Sequence, residues 1–284
     1  SADQIIHPAS RSGVKFLGLE DWGLSVHHDG DLPARSGIGS SAAFTVGLLA
    51  ALHSLKGEMV SQRQLALEAM HVDLDMNREA GGCQDQLMAA HGGINLIKFG
   101  PLREDYQVTP MTLPNGLVDE LRRWLMLYYT GQARDSQAIE ADKLEHLGAK
   151  AGILAALQAL VPEAVEALRK GNFERLGALV YEGWLLKKQL SSLVAHSKVD
   201  AACEAAMSAG AAGVKGTGAG GGGMLLVVAP PSAQPKVAGA LKGLLRITFG
   251  FDYQGARVVY YQPEADDAGE HEHRGIAGAG IGAG

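Results

Sequence analysis

The stretch PARSGIGSSAAF, Pro33 to Phe44, constrains the fold more than any other part of this chain. A proline that ends the preceding segment is followed by two glycines, three serines and other small residues. Directly behind them, SSAAFTVGLLAALHSLKG has helical apolar spacing and stops at Gly57. A helix must therefore start behind a loop whose backbone is unusually free. Such a loop suits an anion. With no side chains in the way, its N–H groups can close around phosphate oxygens. The helix adds unpaired N–H groups and its positive dipole end. Ser40 and Ser41 offer hydroxyls to phosphate oxygens or to a magnesium ion. The competing reading is a glycine turn with a serine N-cap, and on this stretch alone the two stand level.

Known phosphate loops discriminate further. The Gly-Lys-Ser/Thr ending of a Walker loop is missing. Gly37, Gly39 and Ala42 fit G-x-G-x-x-A, with Glu58 about 20 residues on, and Gly216, Gly218 and Gly221 fit G-x-G-x-x-G. DGDLPARS separates the first from any strand, and the second runs from a helix into a strand, the reverse of the dinucleotide order. A nicotinamide-binding reading rests only on these spacings.

Elsewhere helices and strands mix without strict alternation, which predicts the α+β class. HPASRSGVKFLGL reads as a short helix and WGLSVHHDGDLP as a strand leaving into a loop. Ser61 with Gln64 fits a capping box for a helix that runs through LALEAMHVDLDMNREA and breaks at Gly81 and Gly82. QDQLMAAHGG is a turn or short helix before the strand INLIKF, and LMLYYTG is another strand. A long helical region spans about Gln137 to Leu190, interrupted near Pro162 and Gly171. Then follow the helix DAACEAAMSAGAAG, the loop KGTGAGGGG, the strand MLLVVA, the helix PKVAGALKGLL and a last strand, ARVVYYQP.

With 284 residues the chain can hold two lobes, each with its own core. A net charge of -6 argues against a nucleic-acid surface but leaves room for a local anion site. Cys83 and Cys203 have neither metal nor disulfide spacing, which points to a reducing cytoplasm. No apolar run is read as reaching membrane-span length, so no membrane partner is expected. The Gly/Ala-rich tail reads as disordered, with His271 and His273 as solvated residues.

Three motifs in order carry a resemblance. PARSGIGSSAA is similar to the P-x-x-x-G-(L/I)-G-S-S-A-(A/S) loop of the GHMP small-molecule kinases. GGCQDQLMAAHGGINLIKF resembles the segment that carries their catalytic aspartate, and KGTGAGGGGMLLVV resembles their third motif. The resemblance implies a two-lobed α+β fold, with a ribosomal protein S5 domain 2-like lobe over 1–108, a ferredoxin-like lobe over 109–264, and a tail over 265–284. It implies ATP and Mg2+ as cofactors and a small sugar phosphate as substrate, and it leaves homo-oligomerisation open. GDLPARSGIGSS, GCQDQ and YYTGQARDS look most like the bacterial heptose-phosphate kinases. That branch implies phosphorylation of the anomeric hydroxyl of D-glycero-D-manno-heptose 7-phosphate. A kinase of a non-phosphorylated sugar and a catalytically silent sugar or nucleotide binder are the alternatives.

Carried onto this chain, the resemblance has Gly37, Ile38, Gly39, Ser40, Ser41 and Ala42 wrap the ATP phosphates, with Ser41 on magnesium. Asp85 orients and deprotonates the sugar hydroxyl, with Gly82 and Gln84 beside it on the substrate side. Gly218, Gly220 and Gly221 shape the far side of the cleft. Asp73 stands where relatives place a magnesium-binding glutamate. Arg35 and Arg134 are the candidate grips for a sugar phosphate. Asp75, Lys187 and Lys188 read as solvated helix residues, and His71 and His91 carry little weight. The family's first motif, roughly R-x-P/L-R-x-x-x-G-G-G-x-D, has no match in this sequence.

Overall fold

The structure is a computed structural model and describes residues 2–33, 36–131, 136–145, 148–194 and 196–262. Arg35, Arg134 and the tail with His271 and His273 lie outside the described residues.

The apolar run behind the glycine loop forms helix α2 (Ser40–Leu55), which buries Val46, Leu49 and Leu52. Its end is set by Gly57, whose φ of 71° is one that glycine adopts without strain. Around α2 pack α1 (Pro8–Phe16), α3 (Gln62–Met70) and α4 (Gln84–His91). The Ser61 hydroxyl caps α3 by accepting the Gln64 N–H at 3.1 Å, while the Gln64 side chain turns to Glu68 instead of closing the box. Buried His53 ties α2 to α3: Nδ1 lies 2.7 Å from Glu58 Oε2 and Nε2 lies 2.6 Å from Glu68 Oε2. An antiparallel ribbon, β1 (Asn95–Phe99) with β2 (Tyr106–Pro110), flanks this lobe. The Arg63 guanidinium stacks 4.5 Å over the Tyr106 ring.

The second lobe contains α5 (Asn115–Trp124), β3 (Leu125–Tyr129), α6 (Ser136–Glu145), α7 (Ala151–Lys170), α8 (Phe173–Leu190), α9 (Ser197–Ser208), β4 (Gly213–Gly216), β5 (Met224–Val228), α10 (Gln234–Ala240) and β6 (Leu245–Ile247). The strands form one antiparallel sheet in the order β4-β5-β3-β6, with Leu127 opposite Leu226. Tyr128, Val214, Leu225 and Val227 meet Trp184 of α8 in its core.

Several expectations are corrected. WGLSVHHDGDLP forms no strand, and ARVVYYQP is not the last strand; β6 is. Among the described residues neither segment finds a ladder partner, and a lone strand leaves its N–H and C=O groups unpaired. Part of the second returns to the first lobe, where the Ala256 N–H donates to the Ala89 carbonyl at 2.9 Å. The helix after Ser61 does not run on to Gly81; it widens into a π-helical turn, His71–Met76, and stops. Pro162 does not interrupt α7. Pro162 and Gln158 are both exposed, so the carbonyl freed by the missing N–H can take water. At 20 residues, α7 is by length and composition long enough to cross a bilayer, contrary to the expectation that no run is; one face packs along α8. Neither β2, α5 nor β4 is marked by the sequence pattern. β4, GVKG, is half glycine, a poor strand signal held here by its pairing with β5.

Candidate active site

The start of α2 lies against the start of α4. At the junction Gly39 has φ 73°, and a Cβ placed on it would stand 3.1 Å from Asp85 Cγ and 3.3 Å from Asp85 Oδ2. Only a residue without a side chain lets the loop backbone approach the carboxylate this closely. The glycine loop and the candidate base are thus neighbours, as the motifs imply. Asp85 sits in the first turn of α4 and is exposed, as are Gln84 and Gly82 beside it. Ile38 points outward from the loop, and Ala42 is buried beneath it. Beside Gly37 the Ser36 hydroxyl is 1% exposed and has no hydrogen-bond partner among the described residues.

Below the loop, one face of α2 carries Ser41 and, one turn on, Thr45. The Thr45 hydroxyl donates to Asp73 Oδ1 at 2.7 Å, and the Gln86 amide donates to Asp73 Oδ2 at 2.8 Å. Asp73 is 0% exposed. Burial pushes its carboxyl above the ordinary aspartate value, and the bonds from Thr45 and Gln86 oppose that rise. Glu79 is half-buried one tier up. Burial and then the charge of Asp73 raise its carboxyl, while the nearby Ser41 hydroxyl pulls it back. On a helix unbroken from Ser61, Glu79 stands near Asp73 without an assigned role; the π turn alters which residues share a face. The available signal was an acidic residue just before the Gly81-Gly82 break.

The third motif closes the site from the other lobe. Gly218, Gly220, Gly221 and Gly223 all have positive φ. A Cβ on Gly223 would fall 2.2 Å from the Ser36 carbonyl oxygen, so the two glycine loops meet backbone to backbone. Thr130 fastens this contact, its N–H and hydroxyl donating to the Gly223 carbonyl at 2.9 and 2.8 Å. Lys143 donates to the Ala219 carbonyl at 2.8 Å. The solvated reading of Lys187 and Lys188 is corrected, since the loop and α9 each present an acceptor. The Lys187 amine donates to the Gly218 carbonyl, and Lys188 pairs with Asp200 at 2.9 Å. Asp75 is at the surface as expected, its carboxyl held below the usual range first by Arg103 and then by His71. Burial lowers the His91 imidazole. An open cavity of about 520 Å³ on the other side of α2 is lined by Ala43, Gly47 and Met88 and by none of the candidate site residues.

The raised Asp73 carboxyl yields a prediction. The folded chain binds this proton more tightly than the unfolded chain does. Its stabilising contribution is therefore complete below the unfolded value, about 3.9, and is lost as pH rises through the folded one. Asp73→Asn removes that loss. Gln86 Oε1 is buried without a partner, so its amide can turn to accept from the new side-chain amide. The expected result is a Tm at neutral pH equal to the parent's or roughly 2–4 °C above it, with a flatter decline toward alkaline pH. A clear drop in Tm at neutral pH counts against this account.

Two family models match the chain: "GHMP kinases N terminal domain" over residues 10–93 and "GHMP kinases C terminal" over residues 164–246. A D-glycero-alpha-D-manno-heptose 7-phosphate kinase of Campylobacter jejuni is 28% identical over 232 residues, covering 81% of this chain and 68% of that protein. A mevalonate kinase of Pyrococcus furiosus is 28% identical over 231 residues, covering 78% of this chain and 64% of its own length. Among solved structures, a D-glycero-D-manno-heptose 1-phosphate kinase from Bacteroides thetaiotaomicron superposes with a TM-score of 0.60 at 24% identity. It covers 88% of this chain and 75% of its own.

Proposed function

The chain belongs to the GHMP kinases, and from that membership we propose that it transfers a phosphoryl group from ATP to a sugar phosphate. The acceptor proposed is the anomeric hydroxyl of D-glycero-D-manno-heptose 7-phosphate. The observation that carries the reading is the approach of Gly39 to Asp85, because phosphoryl transfer needs a phosphate cradle and a base side by side. The similarity to a heptose 7-phosphate kinase supports the choice of sugar.

In this reading the N–H groups of Gly37 to Ala42 and the N-terminus of α2 receive the triphosphate. The orphaned Ser36 hydroxyl and the side-chain-free space at Gly39 fit such a ligand. Asp85 holds the sugar hydroxyl in line and accepts its proton as the phosphoryl group arrives. Gly82 and Gln84 flank the acceptor, and the third glycine loop bounds the nucleotide side. Arg35 and Arg134, outside the described residues, are the proposed cations for the sugar's own phosphate. Magnesium would be held at Ser41, with Asp73 as the proposed carboxylate beneath it, neutralising charge on the phosphates. The residues present fit a nucleotide-bound cation, which needs only one or two protein ligands: Ser41 is exposed at the start of α2, and Asp73 is bonded to Thr45 one turn along the same helix. Two free cysteines support a cytoplasmic setting.

The test is turnover with ATP and magnesium across sugars and their phosphates. Heptose 7-phosphate should exceed the unphosphorylated heptose in kcat/KM by about one to two decades, the worth of a charge-assisted bond of roughly 1.5–3 kcal/mol. Preference for an unphosphorylated sugar sinks the proposed acceptor, and ATP binding without turnover on any sugar supports the silent binder.

A further inference from the structure

We propose that the cleft between α7 and α8 is a binding site for an amphipathic carboxylate, a monoanion with a linear alkyl chain. The site lies outside the candidate active site and does not depend on the kinase reading. Its walls are apolar. Leu157 and Leu160 of α7 and Leu179 and Leu190 of α8 line a cavity of about 340 Å³, large enough for a small molecule. Val161, 43% exposed, stands at its mouth, and α7 carries no charged residue from Ala151 to Pro162. An alkyl chain can enter there without stripping water from a charge.

The cleft also holds a cation without a partner. Alternation along the edge strand β4 sends Val214 into the core of the second lobe and Lys215 to the opposite face. On that face Gly213 meets Gly177 of α8 backbone to backbone. Lys215, two residues on, therefore reaches the cleft beside α8 and is largely screened from water. Among the described residues no carboxylate or other hydrogen-bond acceptor meets it. Burial pushes its ammonium below the ordinary lysine value. A lysine so placed costs stability until an anion pairs with it. Lys187 also lines the cleft, but its amine is already bonded to the Gly218 carbonyl. The charge left to match is that of Lys215. A single carboxylate matches it, whereas a phosphate dianion would carry a second charge into the apolar cleft.

The probe is decanoate, titrated by calorimetry into the full chain, with octanoate, decanol, acetate and decyl phosphate beside it. Decanoate should saturate a single site, and octanoate should bind about tenfold more weakly, at up to about fourfold per methylene. Acetate, which lacks the chain, and decyl phosphate, which adds a charge, should each bind about tenfold or more below decanoate. Lys215→Met keeps the aliphatic stem and removes the charge. It should weaken decanoate by about tenfold or more, with decanol within about threefold of the parent. Losing an unpaired charge does not endanger the fold, and Val161→Trp, at the exposed mouth, is a second variant that should weaken decanoate and decanol alike. Absence of saturable decanoate binding to the parent, unchanged decanoate affinity in Lys215→Met, or decyl phosphate binding more tightly than decanoate overturns the proposal.

Discussion

Asp85→Asn is expected to lower kcat by roughly two to four decades, the usual worth of a positioned general base, with little change in the affinity for magnesium and ATP. A sugar hydroxyl is a poor nucleophile, and asparagine keeps the shape and a hydrogen bond while losing the basicity. The rival role, a helix cap, finds no support in the geometry: the N-cap of α4 is Cys83, with no side-chain capping bond, and Asp85 lies inside the first turn. Its charge there interacts with the helix dipole, a contribution of about 0.3–1 kcal/mol, so the variant should fold. Single-turnover phosphate transfer beside a nucleotide titration separates chemistry from binding. A folded variant turning over within about threefold of the parent removes Asp85 from the mechanism.

Gly39→Val is expected to abolish useful nucleotide binding, raising Kd for ATP by about two decades or more. Two costs add. A φ of 73° is nearly closed to a β-branched residue, and the new Cβ would press on Asp85 at 3.1 Å. Relief of either moves loop N–H groups away from the phosphates. Because the collision falls on the base, Gly39→Ala should lower kcat as well as affinity, a signature that a plain turn glycine does not give. Calorimetry showing parental ATP affinity in a folded Gly39→Val protein ends the phosphate-loop assignment.

The two motifs that place Gly39 beside Asp85 were legible because each is a local backbone demand: glycine where phosphate approaches, and a glycine break before a helix. The C-terminal sheet was legible in part, through the apolar runs of β3 and β5. Glycine-rich β4 is a strand only because β5 pairs with it, and ARVVYYQP has strand composition yet finds no strand partner. Asp73 could be placed near the site but not at its depth, since burial by Thr45 and Gln86 depends on packing between helices. Glu79 and the Lys187 contact were hidden for the same reason. The first needs a π turn and a left-handed Arg78, and the second needs α8 and the third glycine loop to be brought together.

The contact between Gly223 and Ser36 has a consequence for how the protein assembles. The partners lie toward opposite ends of the sequence, and the entropy of closing so long a loop must be met before the contact forms. Local helices such as α2 can form early, whereas the glycine loop ahead of α2 gains its contact with Gly223 only once the sheet of the other lobe has docked against it. If that contact is needed to hold the loop, competence to bind nucleotide should arrive late in folding. A nucleotide present at that stage binds only the finished form and draws the last step forward by mass action. The ligand then acts as a latch on the joined lobes as well as a reactant.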